Sequence, residues 1–193
     1  MIYWFTRWAA YFFVKIFFRL KVYGNIPRGG VILCPNHLSN FDPPVIAAST
    51  QKSLYFMAKK ELFKNPIFGW YLRKLHAFPV DRSTFDRGAF RKAISLLNAD
   101  KNVLIFPEGT RKKDPTLKLG EIKRAISYII YNTKKKVVPI YIKGTDRWMR
   151  FKKFEVRFGK PFDVEERGEK FSKEVAEKIS QKIKQKILEI MDE

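Results

Sequence analysis

Short apolar segments alternate with longer amphipathic segments along most of this chain. The short segments are rich in β-branched and aromatic residues and end at glycine, proline or charged residues, a pattern typical of buried strands. In the longer segments apolar residues recur every three or four positions, which predicts helices. The predicted strands cover residues 20–23, 30–35, 54–58, 77–80, 103–106, 137–142 and 154–158. The predicted helices cover residues 43–49, 59–73, 86–99, 120–132 and 171–191.

Two of these helices have a well-defined apolar face. In the first, residues 86–99, the face consists of Phe90, Ala93, Ile94 and Leu97. In the second, residues 171–191, it consists of Val175, Ile179, Ile183, Ile187 and Ile190. Ser83 or Thr84 is positioned to cap the first helix. The second face belongs to a helix rich in lysine and glutamate, and we expect it to pack on the body of the domain.

Strands that alternate with helices predict an α/β fold. We expect a mixed, mostly parallel central sheet with helices on both faces. The chain has 193 residues, enough for one domain with a substantial core. No repeat, low-complexity segment or linker divides the sequence. We therefore expect an N-terminal helix over residues 1–20 and a single domain over residues 21–193.

The N-terminal segment combines aromatic residues with a few cations. On a helical projection Arg7, Lys15, Arg19 and Lys21 fall along one stripe, and aromatic residues cover most of the remainder. A membrane-spanning helix needs about 20 predominantly apolar residues, and two of these cations interrupt this one. No small-residue cleavage site follows, which argues against a signal peptide. The pattern favours a monotopic helix at the membrane interface, with a core helix of a soluble protein as the alternative.

The charge balance narrows the class of partner. Lysine and arginine number 39 against 19 aspartates and glutamates, a net charge of +20. Such an excess predicts an anionic partner, which is a nucleic acid, a membrane surface or a phosphorylated metabolite. The single cysteine, Cys34, excludes an internal disulfide framework and fits a reducing compartment.

His37 and Asp42 are the first candidates for chemistry. Neutral imidazole accepts a proton from an alcohol near pH 7, and a carboxylate fixes its tautomer. Prolines at positions 43 and 44 predict that a helix begins at Asp42. On one helix, residues five positions apart point about 140° apart, so the two side chains meet only if His37 lies in the turn before the helix. The alternative is that Asp42 is only a helix cap and His37 a loop residue.

Two further loops follow predicted strands, where α/β proteins collect ligand-binding residues. In the first, Arg82 offers a planar fork of donors suited to phosphate, unless it forms a local salt bridge with Asp81. The second, residues 106–111, is a binding turn or a solvated surface turn. Gly109 permits close backbone approach in this turn. An acceptor, a hydroxyl and a cation accompany it in Glu108, Thr110 and Arg111.

In chain order, four segments resemble the four sequence blocks of the glycerolipid acyltransferases, and in particular the bacterial 1-acylglycerol-3-phosphate (lysophosphatidic acid) acyltransferases. The resemblance runs from about residue 20 to 162. The four segments are Asn36-His37 with Asp42, then Phe78-Pro79-Val80-Asp81-Arg82, then Phe106-Pro107-Glu108-Gly109-Thr110-Arg111, then Val138-Pro139-Ile140. Lys118-Leu119-Gly120 and Phe158-Gly159-Lys160-Pro161 are weaker additions.

The resemblance implies a role for each matching residue. His37 would be the general base on the acceptor hydroxyl, and Asp42 would orient it. Arg82 would hold the acceptor phosphate, and Arg111 and Lys59 are further candidates for this role. Glu108, Gly109 and Thr110 would shape the acceptor site. Val138-Pro139-Ile140 would lie near the acyl donor, with a buried strand as the alternative. Residues 21–193 would be the acyltransferase domain.

The implied reaction transfers a fatty acyl group from acyl-CoA or acyl-acyl-carrier protein to the sn-2 hydroxyl of 1-acylglycerol 3-phosphate, giving phosphatidic acid. It needs no metal or other cofactor. The enzyme would work at the cytoplasmic face of the cell membrane, on an anionic surface, without nucleic acid. Glycerol 3-phosphate or another lysophospholipid is the alternative acceptor. Three other hypotheses stay open. The transfer could pass through a covalent intermediate on Cys34 or Ser39, or the chain could be a basic nucleic-acid-binding module or an inactive relative that senses lipid.

The match departs from the family pattern at two positions. The second block usually opens with glycine six positions before its arginine, and this position holds His76. The third block is often followed by serine, and Lys112 stands there. Neither residue takes part in the implied proton transfer, but both bear on acceptor fit. His76 is either an additional phosphate donor or a structural histidine at a strand end.

Overall fold

The computed structural model describes residues 1–111, 119–146, 153–165 and 170–192. Six α-helices and seven strands lie within these residues. The helices are α1 (Ile2–Phe18), α2 (Asp42–Ala48), α3 (Pro66–Lys74), α4 (Arg87–Asn98), α5 (Arg124–Tyr131) and α6 (Lys173–Met191). The strands are β1 (Lys21–Tyr23), β2 (Ile32–Pro35), β3 (Leu54–Lys59), β4 (Ala77–Val80), β5 (Asn102–Leu104), β6 (Val137–Lys143) and β7 (Glu155–Phe158).

The seven strands form one mixed, mostly parallel sheet, as predicted. Their order across the sheet is β1-β7-β6-β2-β5-β3-β4. Only β6 and β7 pair antiparallel, and every other neighbouring pair is parallel. Strands β4, β3, β5, β2 and β6 therefore run in the same direction, and their carboxyl ends lie along one edge of the sheet. This edge is where the sequence placed the candidate chemistry.

Helices cover both faces of the sheet, because consecutive residues of a strand point to opposite sides. Ile32 and Cys34 pack in a core cluster with α4, α5 and α6. Leu33, between them, packs in a second cluster with α1 and α2. The five predicted apolar residues of α6 are all buried, which confirms the face read from the sequence.

The helix predicted over residues 59–73 is wrong in its first half. Lys59 still belongs to β3, a 3₁₀ helix covers Lys60–Phe63, and the α-helix begins only at Pro66. The Asn65 side chain accepts a hydrogen bond from the backbone N–H of Phe68 and caps this helix. Proline disfavours helical backbone in the preceding residue but fits the first helical position, so the helix starts there.

The cap of α4 and the start of α5 differ from the sequence prediction. The cap of α4 is Asp86, whose Oδ1 accepts the Ala89 N–H at 2.9 Å, because Ser83 is engaged with Asp81 instead. Helix α5 begins at Arg124 rather than at residue 120. Before it, the backbone N–H of Lys123 donates to the Pro107 carbonyl at 2.9 Å, which holds this segment as a loop.

Helix α1 packs on the domain but does not carry the predicted stripe of four cations. It ends at Phe18, because Arg19 adopts left-handed backbone with φ 46° and Lys21 opens β1. The Phe18 ring is buried and stacks on Phe154, with ring centroids 4.2 Å apart. None of the helices within the described part of the chain combines the length and apolarity needed to cross a bilayer. The division at residue 20 into two units stays a prediction.

Candidate active site

The predicted contact between His37 and Asp42 is present. His37 lies in the turn between β2 and α2, and Asp42 is the first residue of α2, with Phe41 as the cap. His37 Nδ1 and Asp42 Oδ2 are 2.7 Å apart. Both residues are buried, His37 with 5% of its surface exposed and Asp42 with none. The turn brings the carboxylate back onto the ring, as the spacing required.

Hydrogen bonds to Asp42 indicate which nitrogen of the His37 ring carries the proton. The backbone N–H groups of Leu38 and Ser39 donate to Asp42 Oδ2, at 2.6 and 2.8 Å. The hydroxyl of Thr145 donates to the other oxygen, Oδ1, at 2.5 Å. Because Oδ2 already accepts two N–H groups, it acts as an acceptor toward the ring, and Nδ1 carries the proton. This tautomer leaves Nε2 as the basic nitrogen.

The Glu108 carboxylate holds the backbone at His37 through hydrogen bonds. Its Oε1 accepts the backbone N–H of His37 at 2.9 Å, and its Oε2 accepts that of Gly120 at 2.8 Å. A Cβ at position 120 would lie 2.4 Å from this Oε2, so the loop needs glycine there. Glu108 is buried, with 5% exposure. The resemblance implied a role for Glu108 in the acceptor site, which stays a prediction; in the structure its carboxylate joins the backbone at His37 to the loop at Gly120.

The histidine is further fixed by an aromatic ring and an amide. The His37 and Phe106 rings stack with centroids 3.9 Å apart. Asn36, the residue before the histidine, pairs with both backbone groups of Ile142 on β6. Its Nδ2 donates to the carbonyl at 3.0 Å, and its Oδ1 accepts the N–H at 2.7 Å. The end of β2 is therefore held firmly against the neighbouring strand.

His37 lines an apolar cavity of about 470 Å³ between α1, α2 and α3. This volume falls in the range of small-molecule sites. Apart from His37, its walls are formed mainly by apolar and aromatic side chains, which include Ala10, Pro43, Pro44, Ala47, Phe56, Met57, Ala58, Leu62, Phe68, Leu72, Leu75 and Phe106. Lys59 and Arg82 contribute positive charge to the same cavity. Such a cavity suits an acyl chain whose polar end lies near the histidine.

Arg82 is available for an anion. Its predicted competitor, Asp81, instead pairs with Lys60, and within the described residues no carboxylate lies within ion-pair distance of Arg82. Desolvation and the nearby charge of Arg111 lower the pKa of Arg82, while Glu61 opposes this shift. An arginine still keeps its charge after such a shift. Arg111 lines neither cavity, but its charge adds to that of Arg82 at the wall and favours a negatively charged ligand there.

The other predicted binding residues divide between two places. Lys59 lies at the end of β3, and its Nζ is 3.8 Å from Glu61 Oε2 in an exposed, weak pair. Gly109 and Thr110 line a second cavity of about 400 Å³. The second cavity shares Met57, Arg82 and Phe106 with the first. Arg82 is thus the predicted cation that faces both cavities.

Two segments considered for the acyl donor or a covalent route are buried. Val138, Pro139 and Ile140 form the centre of β6 and line neither cavity. Cys34 has no exposed surface, and burial raises the pKa of its thiol to about 12. Within the described residues no three His, Cys, Asp or Glu side chains come close enough to hold a metal ion.

His76 is a structural residue. Its ring stacks between those of Tyr3 and Tyr55, with centroid distances of 4.4 and 4.6 Å, and its Nδ1 is 2.9 Å from Ser53 Oγ. His76 adopts φ 65°, the left-handed conformation that glycine takes without strain, so the two ring contacts hold a residue where the family pattern has glycine. It lines neither of the two cavities. Lys112 and Lys118 lie outside the described residues.

The sequence reading missed two residues that the fold brings to this site. Thr145, after β6, bonds Asp42. Arg7 was placed on a stripe with three other cations, but its Nη1 donates to the Thr50 carbonyl at 2.8 Å and its side chain lines the first cavity. Its Nε is buried without a hydrogen-bond partner among the described residues. A helical projection could not show this, because it does not tell which face of α1 meets the protein.

The fold agrees with the comparisons to known proteins. Residues 19–143 match the Acyltransferase family model, a span that contains His37, Asp42, Arg82 and Glu108. The chain belongs to the acyltransferase family.

Individual relatives carry more specific names. A 1-acyl-sn-glycerol-3-phosphate acyltransferase of Streptococcus pneumoniae is 32% identical over 69% of this chain and 50% of its own length. One from Bacillus subtilis is 37% identical over 53% of this chain and 54% of its own. A lyso-ornithine lipid O-acyltransferase of Pseudomonas aeruginosa is 30% identical over 58% and 44%, respectively. The chain thus spans about half the length of these curated relatives.

A solved structure matches the whole chain. It is the 1-acyl-sn-glycerophosphate acyltransferase PlsC from Thermotoga maritima, with a TM-score of 0.73 and 28% identity. The alignment covers 100% of this chain and 79% of that protein.

Proposed function

We propose that this chain transfers a fatty acyl group from acyl-CoA or acyl-acyl-carrier protein to the sn-2 hydroxyl of 1-acylglycerol 3-phosphate, giving phosphatidic acid. The observation that carries the proposal is the His37–Asp42 pair at an apolar cavity that also holds Arg82. The names of the bacterial relatives support the same acceptor.

The proposed step is a direct transfer. His37 Nε2 takes the proton of the acceptor hydroxyl while the hydroxyl oxygen attacks the thioester carbonyl carbon. The new C–O bond forms, the C–S bond breaks, and the thiolate leaves with the proton returned by the imidazolium. Asp42 stabilises the imidazolium in between, at 2.7 Å from Nδ1. Cys34 and Ser39 take no part, because Cys34 is buried as a thiol and neither residue lines the cavity that contains His37.

The phosphate of the acceptor would lie at Arg82, with Arg111 and Lys59 nearby. Arg82 lines the same cavity as His37, so one ligand can contact both. In 1-acylglycerol 3-phosphate the ester and the phosphate are on the two end carbons of glycerol, and the sn-2 hydroxyl is on the carbon between them. This arrangement lets the hydroxyl reach the base while the phosphate stays on the guanidinium.

The test is transfer of a labelled acyl group by the purified chain, with products identified by mass spectrometry. The donors are acyl-CoA and acyl-acyl-carrier protein. The acceptors are 1-acylglycerol 3-phosphate, glycerol 3-phosphate and a lyso-ornithine lipid. We expect phosphatidic acid as the main product, and none with the His37→Ala variant. No product from any acceptor, with a folded protein, would favour an inactive lipid-binding relative.

Arg82→Ala separates the candidate acceptors. Both phosphate-bearing acceptors should lose binding in this variant, whereas a lyso-ornithine lipid, which has no phosphate, should be little affected. The match to a lyso-ornithine lipid O-acyltransferase makes this second acceptor class worth including. If the lyso-ornithine lipid is the better acceptor of the unmodified chain, the proposed acceptor is wrong.

We also propose that the chain binds the cytoplasmic face of the cell membrane through α1 and α3. Large apolar side chains are exposed on both helices. On α1 they are Trp4, Phe5, Trp8, Phe12, Phe13, Ile16 and Phe17, and on α3 they are Ile67, Phe68 and Trp70. Leu62 and Phe68 are exposed and also line the first cavity, so the cavity reaches this apolar surface. A net charge of +20 matches an anionic leaflet.

Vesicle binding tests the membrane proposal. Phe5→Glu and Ile16→Glu each place a charge on the most exposed face of α1, and Ser95→Glu adds the same charge on the exposed side of α4 as a control. We expect only the first two to weaken binding to anionic vesicles, and raised salt to loosen it. Salt-sensitive binding to DNA or RNA without vesicle binding would instead favour a nucleic-acid-binding module.

A further inference from the structure

Thr145 has a buried hydroxyl that forms a hydrogen bond with Asp42 of the His37–Asp42 dyad. It follows β6, has no exposed surface, and donates its Oγ1 hydrogen to Asp42 Oδ1 at 2.5 Å. The two residues are 103 positions apart in the chain. Thr145 also lies just beyond residues 19–143, the span that matches the family model.

The local backbone delivers this hydroxyl to the carboxylate. Gly144 adopts φ 90°, and a Cβ there would lie 2.4 Å from the Lys153 carbonyl oxygen. The chain can therefore turn sharply at the end of β6 only with glycine at that position. The turn lies next to the Asn36–Ile142 pair, which holds β6 against the end of β2. The site is thus held to the end of β6 by two links, one at Asn36, just before His37, and one at Asp42 itself.

We propose that Thr145 is a positioning residue for the acyl transfer, which acts by holding the Asp42 carboxylate in the plane that the His37 ring requires. The inference rests on the proposed function for its kinetic readout. Three donors converge on Oδ2, whereas within the described residues Thr145 is the one donor to Oδ1, so it holds the second oxygen of the carboxylate and limits rotation about the last bond. Without it, the same oxygen can still meet the ring, but at a less favourable angle.

This role gives the fourth sequence block a physical meaning. Val138, Pro139 and Ile140 are buried in the sheet and line neither cavity. The strand that contains them ends in Ile142, which pairs with Asn36, and leads to Thr145, which bonds Asp42. The block is therefore linked to the His37–Asp42 pair through the end of its strand.

The experiment compares Thr145→Val, which keeps the shape and removes the hydroxyl, with Thr145→Ser, which keeps the hydroxyl. Thr133→Val is the matched control, because Thr133 is also buried and, among the described residues, its hydroxyl bonds only the carbonyls of Ile129 and Ile130 on α5. A hydrogen bond to a charged group predicts a loss of about 10- to 100-fold in kcat for Thr145→Val. KM should stay within about twofold, because Thr145 does not line the cavity.

Two further results are expected. Thr145→Ser should restore most of kcat, and Thr133→Val should lower Tm without lowering kcat. In the Asp42→Asn background, Thr145→Val should cost less than about threefold, since its effect passes through the carboxylate. A kcat loss in Thr145→Val no larger than that in Thr133→Val, or an undiminished loss in the Asp42→Asn background, would overturn the proposal.

A measurement without substrate keeps this test separate from the proposed function. The His37 Nδ1–H proton of the folded protein should give a far-downfield NMR signal, shifted in Thr145→Val and restored in Thr145→Ser. If Thr145→Val does not fold, Thr145→Ala takes its place. Shifted NMR signals in a protein that transfers no acyl group would reject the function and keep the positioning role. An unshifted signal would reject the positioning role, whatever the activity.

Discussion

Replacing Asp42 by asparagine removes the negative charge beside His37 but keeps the hydrogen-bonding geometry of the His37–Asp42 pair. Oδ2 receives hydrogen bonds from His37, Leu38 and Ser39, so the amide oxygen of asparagine must occupy that position. The NH₂ group then faces Thr145, whose hydroxyl can turn and accept from it. All partners remain satisfied, and we expect Tm to change little. The main loss is the negative charge beside the imidazolium.

The size of this loss follows from the contact. Hydrogen bonds to charged groups contribute about 1.5–3 kcal/mol, and two unit charges 4 Å apart interact by about 4 kcal/mol at an effective dielectric of about 20. We therefore expect Asp42→Asn to raise the barrier by about 2–4 kcal/mol, a decrease in kcat of roughly 30- to 1,000-fold. His37→Ala should cost roughly 3–5 kcal/mol, because it removes the base itself.

The assay is steady-state acyl transfer with saturating donor, together with Tm for each variant. Asp42→Ala is the control for geometry, because it leaves the donors of Leu38, Ser39 and Thr145 without a partner and should lower Tm. The His37→Ala/Asp42→Asn double variant should be little worse than His37→Ala alone, since the two residues act as a unit. The reasoning would be refuted if Asp42→Asn kept kcat within threefold of the unmodified chain while His37→Ala abolished activity.

Three other predictions concern the phosphate site, the covalent route and the pH dependence of stability. Arg82→Ala should raise KM for a phosphorylated acceptor about 10- to 100-fold, as one charged hydrogen bond implies, and unchanged kinetics would remove the phosphate assignment. Cys34→Ser and Ser39→Ala should each keep at least about half of kcat, whereas an acyl-enzyme trapped in mass spectra would contradict the direct mechanism. Burial lowers the pKa of His76 below its ordinary 6.5, so the unfolded chain binds more protons, and the stability present above about pH 6.5 is lost as the pH falls. His76→Asn, which tolerates the left-handed backbone, should reduce this loss in urea denaturation at pH 5.5 compared with pH 7.5, and an unchanged difference would show that another group is responsible.

Much of the fold was predictable because it depends on local periodicity. The seven strands and the apolar face of α6 follow from which residues repeat every two or every 3.6 positions. The structure contains all seven strands, and burial confirms the face of α6. The contact between His37 and Asp42 was predictable for the same reason, since the two lie five positions apart and proline at position 43 marks where the helix starts. Helix starts at residues 66 and 124 were missed, because side-chain and loop hydrogen bonds decided them.

The sequence could not determine the contacts between residues that are far apart in the chain and that the strand order brings together. Position along the chain does not reveal that β2 lies between β5 and β6, and this arrangement alone brings Glu108 to the His37 backbone and Thr145 to Asp42. Nor does a helical projection show which side of α1 turns inward, so Arg7 was misplaced. The sequence by itself determined most of the elements and the contact between His37 and Asp42, because those depend on neighbours a few residues away. The tertiary structure decided how the pair is supported and enclosed, because buried polar groups must find their partners wherever the packed sheet brings them.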